Sequence, residues 1–323
     1  MRVVRVTRFG GPEVLVLGEA PDPVAGEGQV VIDVSVAGIT FVETQIRRAA
    51  DRWHDRPEPP YVPGGVVGGR VRSVGAGVDA GWSGRRVLGR TGQTGGFAEQ
   101  AVAAVEDLLP VPDGLGLPEA CALHPDGSTA LGLVEGARIR PGEWVLVEAA
   151  GGGVGTLLVQ LARSAGARVV GAARGARKLD LVRELGADAA VDYSEPGWTK
   201  QVIEATGGAG PDVVFDGVGG EIGRAAFEVT AEGGRFSVHG AASGRATTVD
   251  PAEAERRGVQ VLGIEQLFDF GPHKHRWAEQ VIARAAAGGV RPVIGQTFPL
   301  ELAAEAHAVI EARSALGKTL LAI

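Results

Sequence analysis

Short runs in which apolar and polar positions alternate, each closed by Gly or Pro, fill the first third of the chain: "VVRVTRFG", "QVVIDVSVAG", "GGRVRSVGAG" and "GGFAEQAVA". A period of two predicts strands joined by tight turns, so residues up to about 118 read as a β-rich, partly barrel-like unit. Between these runs, "RRAADRWHDRPEPPYVPGG" places a charge cluster ahead of four prolines and predicts an irregular loop. Near Pro118 the texture changes. "PEACALHPDGSTALGLVEGA" reads as helix in two pieces, and the strands "WVLVEAA", "ARVVGAA", "AAVDY", "DVVFDGV" and "RFSVHG" then alternate with amphipathic helices. In "KLDLVREL", Leu179, Val182 and Leu185 share one face. This rhythm predicts right-handed βαβ crossovers and a parallel sheet. After "VQVLGIE" a longer helix, a strand "PVIGQTFPL", another helix and a strand "GKTLLAI" leave the rhythm, as a tail rejoining the first unit would.

Composition sharpens this outline. A length of 323 residues with 45% hydrophobic content favours two domains over one core. The 51 glycines, about twice the ordinary share, follow no collagen period and point to an enzyme rich in turns. The net charge of −7 comes without any basic stripe, which argues against nucleic acid or anionic lipid as a partner. No apolar run approaches the roughly 20 residues of a membrane span, and "MRVVRVTRFG" alternates where a signal peptide would be continuously apolar. A cytoplasmic protein is the expectation. The single cysteine, Cys121, excludes an intramolecular disulfide and a Cys-rich zinc site and reads as a packing residue among alanines.

The densest chemical signal is "VLVEAAGGGVGTLLVQLA", an apolar strand, a glycine turn and a helix with Val154, Leu157, Leu158 and Leu161 on one face. Small residues there let the backbone approach a pyrophosphate, whose charge is drawn to the free amides and dipole of the helix N-terminus. Gly155 would permit close packing of helix on sheet. An NAD enzyme wants a carboxylate at the end of the next strand. The strand ends instead in "VVGAARGARK", with no carboxylate before Asp180, and Arg174, Arg177 and Lys178 could neutralise a 2′-phosphate. NADPH is therefore the expected cofactor.

The whole chain resembles the zinc-independent quinone oxidoreductase, or zeta-crystallin-like, branch of the medium-chain dehydrogenase/reductase superfamily. The resemblance rests on "VAGITFVETQIR", "YVPGGVVGGRVRSVGAGV", "GGFAEQAVA", "STALGLVEGARIRPGEWVLVEAAGGGVGTLLVQLARSAGARVVG", "LGADAAVDY", "DVVFDGVGG" and "GKTLLAI". It implies an α/β protein with a GroES-like catalytic domain over residues 1–119 and 262–323. A Rossmann doubly wound parallel sheet over 120–261, an interdomain cleft, NADPH and often a homodimer are implied with it. Its A-x-x-G-x-x-G turn falls on Ala149, Gly152 and Gly155, with Gly153 and Val154 inside it. Its phosphate-binding lysine falls on Lys178, its "D-Y" tyrosine on Tyr193, its nicotinamide-side threonine on Thr129 and its late glycine loop on Gly240 and Ala241. The family's "G-x-N-F-x-D-x-Y" is here "GITFVETQ", so Thr40, Glu43 and Gln45 replace Asn, Asp and Tyr. Glu148 stands where a neutral or imidazole side chain is commoner.

Without a Lewis acid, hydride transfer to a quinone or an α,β-unsaturated carbonyl is the reaction that needs least help, because the acceptor spreads its own charge. Candidate donors to its oxygen are Thr40, Thr129 and amides near Gly240, with His239 on the substrate side. Trp53 and Tyr61 either cover the site or pin a surface loop. An enoyl-thioester or polyketide-tailoring reductase, and a dinucleotide-binding scaffold without turnover, stand as alternatives.

Overall fold

The alternating segments of the first third become strands in the computed structural model, which describes residues 1–323. Two units separate, Met1–Pro125 with Ala278–Ile323, and Asp126–Trp277.

The first unit is organised around the strand Gln29–Ile39, which pairs antiparallel with Val66–Val74, Gln100–Ala104 and Lys318–Ala322. Register shifts at Val31/Ile32 and Val34/Val36 bend it, and a bent strand can exchange partners along its length. The sheet order is Ile294–Pro299, Lys318–Ala322, Gln29–Ile39, Val66–Val74, Arg86–Arg90, Leu108–Pro110. The tail thus supplies two strands of this sheet. Ile32, Val67, Val87, Phe97 and Leu321 form its dry interior, and Arg2–Val6 pairs with Leu15–Glu19 as a separate hairpin.

In the second unit six parallel strands lie in the order Ala189–Asp192, Arg168–Ala173, Trp144–Glu148, Val213–Asp216, Arg235–Val238, Gln260–Leu262. Counted along the chain this is 3-2-1-4-5-6, the doubly wound order, in which ligands bind where the order reverses, at the carboxyl ends of strands one and four. Those ends are Glu148 and Asp216. Leu146, Val170, Val214, Phe227 and Phe236 fill the core beneath them.

The boundaries expected at 119/120 and 261/262 differ from those of the units. Helix Leu117–Leu123 packs on Gln29–Ile39 and Val66–Val74, which assigns it to the first unit although the sequence texture changes at Pro118. At the other boundary, Trp277 donates its indole N–H to Glu135 at 2.9 Å and packs edge-on against Phe270, which holds residues up to 277 to helix Asp126–Ala137. No helix is long and apolar enough to cross a membrane.

Candidate cofactor and active site

Strand Trp144–Glu148 runs into Ala149, which adopts φ +49°, and after Ala150, Gly151 and Gly152 the helix Gly153–Ser164 begins. Gly152 is its N-cap and, having no side chain, contributes no capping hydrogen bond of its own. A glycine N-cap leaves open space at the aligned amides and dipole of a helix start, the arrangement that binds a pyrophosphate. A Cβ on Gly155 would strike the Ala149 carbonyl oxygen and come to 2.7 Å from Ala150 Cα, so only glycine lets this helix press onto its strand. At Gly153, beside Val154, a Cβ would run into the carboxylate of Asp126, whose helix Asp126–Ala137 lies alongside. Thr129 stands in the first turn of that same helix. The cradle fits a dinucleotide backbone.

The neighbouring strand end supplies cations. Lys178 lays its stem across the turn, its Cβ and Cγ each 2.9 Å from where a Gly151 Cβ would be. Arg174 precedes Gly175, the left-handed N-cap of helix Ala176–Glu184. A carboxylate not anticipated from the sequence enters this corner. Asp192, aligned with Ala173 on the next strand, accepts the Gly175 amide at 2.8 Å, the Ser194 amide at 2.9 Å and the Ser194 hydroxyl at 2.5 Å. Burial works against its charge, but those hydrogen bonds, with Arg174 nearby, hold its pKa below the ordinary Asp value. Its acceptor capacity is thereby largely spent within the chain. Tyr193 follows it, its amide reaching the Ala173 carbonyl at 3.3 Å and its ring packed on the unit's core.

At the switch point Glu148 and Asp216 lie next to each other in register, and both are fully buried. Asp216 accepts the Val218 amide at 2.9 Å, the Gly219 amide at 2.7 Å and the Thr247 hydroxyl at 2.5 Å. Neither oxygen of Glu148 has a hydrogen-bond partner of ordinary geometry. Burial, then the charge and proximity of Asp216, push the Glu148 pKa well above the usual carboxyl range. His239 comes from the next strand end, its amide on the Asp216 carbonyl at 2.8 Å and its ring against Gly217. Burial takes the imidazole pKa down to about 4, against the pull of Asp216, so the ring is neutral at pH 7. Gly240 presses on the same glycine, since a Cβ there would lie 2.5 Å from the Gly217 carbonyl oxygen. Ala241 opens the turn closed by Gly244.

In the first unit Thr40 is the N-cap of helix Phe41–Arg47. Its hydroxyl accepts the Glu43 amide at 3.3 Å and donates to the Glu43 carboxylate at 3.0 Å, while its amide donates to the same carboxylate at 2.6 Å. This is a capping box, and "T-x-x-E" is its sequence signature. The hydroxyl read as a donor to substrate is engaged in a helix cap here. The other Glu43 oxygen accepts the Gly65 amide at 3.1 Å, and burial raises this carboxyl's pKa against the Thr40 hydrogen bonds and the charge of Lys318. Tyr61 is a half-buried residue at the edge of the core, bonded through its backbone to Val6, and burial with the charge of Glu43 pushes its phenol up to about 12. Trp53 is partly buried in a turn whose amides, its own included, bond to Asp51.

Residues 26–113 match the alcohol dehydrogenase GroES-like domain and residues 153–287 match the zinc-binding dehydrogenase domain. Quinone oxidoreductase from Rattus norvegicus is 33% identical over 324 residues, covering 99% of this chain and 97% of the relative. Among solved structures, quinone oxidoreductase from Escherichia coli complexed with NADPH superposes with a TM-score of 0.90 at 26% identity, and each chain is covered completely. An NAD-dependent alcohol dehydrogenase gives 0.88 at 31% identity, again over the full length of both. Fold and site together define an oxidoreductase of the medium-chain dehydrogenase/reductase type. Within that superfamily, the chain belongs to the quinone oxidoreductase branch. The one cysteine, Cys121, is buried, and no three His, Cys, Asp or Glu side chains come together as metal ligands.

Proposed function

We propose that this chain is a metal-free, NADPH-dependent reductase that delivers hydride to a quinone or an α,β-unsaturated carbonyl. It would act in the cytoplasm as a homodimer. The observation that carries the reading is the glycine turn and glycine N-cap at Ala149–Gly155, with the Lys178 stem laid across the turn and Arg174 at the adjoining strand end. The amides of the helix bind the pyrophosphate, and Arg174 and Lys178 neutralise the adenosine phosphate. The nicotinamide, when bound, supplies the hydride. The loops ending in Gly217 and Gly240 position its ring at the switch point, and Thr129 stands by as a hydroxyl donor on the helix beside the turn. A quinone or enone takes up the developing charge itself, and its proton comes from solvent.

Loss of NADPH absorbance against a quinone, an enone and an enoyl thioester separates the quinone or enone reductase from the thioester reductase. Tight NADPH binding with no turnover on any of them would overturn both in favour of a non-catalytic scaffold. The NAD-dependent relative gives NADH a specific claim. Arg174→Ala with Lys178→Ala is expected to weaken NADPH by about 1 to 3 kcal/mol and leave NADH nearly unchanged; equal losses would refute the phosphate assignment.

A further inference from the structure

We propose that Glu148 is a positioning residue for the dinucleotide, acting through Asp216 on the Gly217–Gly219 turn beneath His239 and Gly240. The inference rests on the dinucleotide reading given above.

The Asp216 carboxylate ties down the amide side of this turn, while the Ser243 amide holds the Val218 carbonyl at 2.8 Å. That carboxylate takes two of the turn's amides and the Thr247 hydroxyl, and every one of these hydrogen bonds is donated to it. The turn has little room to shift, because Gly217 is bounded by the His239 ring and the Ala149 methyl. A Cβ on Gly217 would lie 3.0 Å from His239 Cε1 and Nε2 and 3.5 Å from Ala149 Cβ. Ala149 begins the glycine turn and Gly240 rests on the Gly217 carbonyl, so a displacement of Gly217 reaches both sides of the switch point.

Glu148 is the next residue in register beside Asp216, fully buried, with both oxygens lacking a partner of ordinary geometry. The groups that face it are the Asp216 carboxylate and the Val218 amide, while His239, neutral at pH 7, lies close to Asp216. Two carboxylates cannot both ionise in such a dry site. With its proton, Glu148 has an O–H to offer and Asp216 is the acceptor beside it, so the pair is a self-contained lock. Without the proton, repulsion is relieved by moving Asp216 out, which releases the turn.

The test measures NADPH affinity by cofactor fluorescence from about pH 6 to about pH 9, on the full chain. Wild type is expected to hold its affinity at the acid end and lose about tenfold or more toward the alkaline end. Glu148→Ala should bind more weakly throughout, and Glu148→Gln should restore binding and remove the alkaline loss. Infrared difference spectra in H2O and D2O should show a protonated-carboxyl stretch at neutral pH that Glu148→Gln lacks and Glu43→Gln keeps, which separates Glu148 from the other buried carboxyl. The proposal is overturned by a flat wild-type profile, by a Gln variant that follows the wild-type profile, or by absence of the band. A wild-type chain that binds NADPH at no pH overturns the dinucleotide reading itself and takes this proposal with it.

Discussion

Thr40 and Glu43 cap a helix together, and replacing either alone strands a donor or an acceptor of the other. Thr40→Ala should cost about 1 kcal/mol in urea unfolding while Thr40→Ser stays close to wild type. A loss of turnover in Thr40→Ala beyond what its stability explains would restore a direct role for the hydroxyl. Glycines in the cofactor turn differ in the same residue-by-residue way. Gly155→Ala meets fixed backbone and is expected to lose about 1 to 3 kcal/mol of stability with most of its dinucleotide binding. Gly153→Ala meets only the tip of Asp126, which can turn aside, so its stability loss should be smaller. Thermal melts and cofactor titration of the two variants decide the order. The glycine turn was readable because its meaning is local. The capping box is equally present in "TFVE", but a threonine where the family has Asn fits a substrate contact as well as a cap, and the pattern alone does not separate the two. Glu148 stands out in the sequence, but its pairing with Asp216 and the hydrogen bonds of Asp192 do not, since strand register, which no local pattern encodes, brings them into place.

Helix Phe41–Arg47 and helix Ala303–Glu311 meet through charge that is hard to foresee. Arg47 is fully buried, ion-paired to Glu311, with its Nε and Nη1 lacking further partners, and a sequence reading expects arginine at the surface. His307 sits beside it, edge-on to Phe97 with centroids 5.8 Å apart, and burial followed by the Arg47 charge brings its pKa down to about 3. A depressed histidine contributes stability that is complete above its ordinary value of 6.5 and is lost as pH falls toward 3. Stability should therefore decline below pH 6.5, by up to about 1.4 kcal/mol per pH unit from this group. His307→Leu should flatten that acid limb in denaturant titrations; an unchanged slope would assign it to other groups. Glu148 works in the opposite sense, its contribution present at acid pH and lost as pH rises through its elevated pKa. Element identity itself was legible. Val182 and Leu185 face inward as their spacing predicts, because helical period survives any tertiary context that buries one face.

On the scale of the whole molecule, the two units differ in how their chain is spent. The second is one uninterrupted segment, and its alternating βα rhythm announced it. The first is assembled from both sides of that segment; the break in the rhythm after residue 262 hints at the tail's return, and the resemblance assigns it to the first domain. Removing residues 318–323 should strip protection from hydrogen exchange over Gln29–Ile39 and leave the amides of Trp144–Glu148 and Val213–Asp216 protected. Equal loss in both sheets would show that the units do not unfold separately. During synthesis the same connectivity sets a schedule. The second unit has every strand it needs before Lys318–Ala322 is made, whereas residues 36–39 wait for that strand, with one edge of their own unpaired. A ribosome carrying this chain therefore holds out a finished sheet and an open one together, and the open edge is where a chaperone, or a neighbouring nascent chain, would find it.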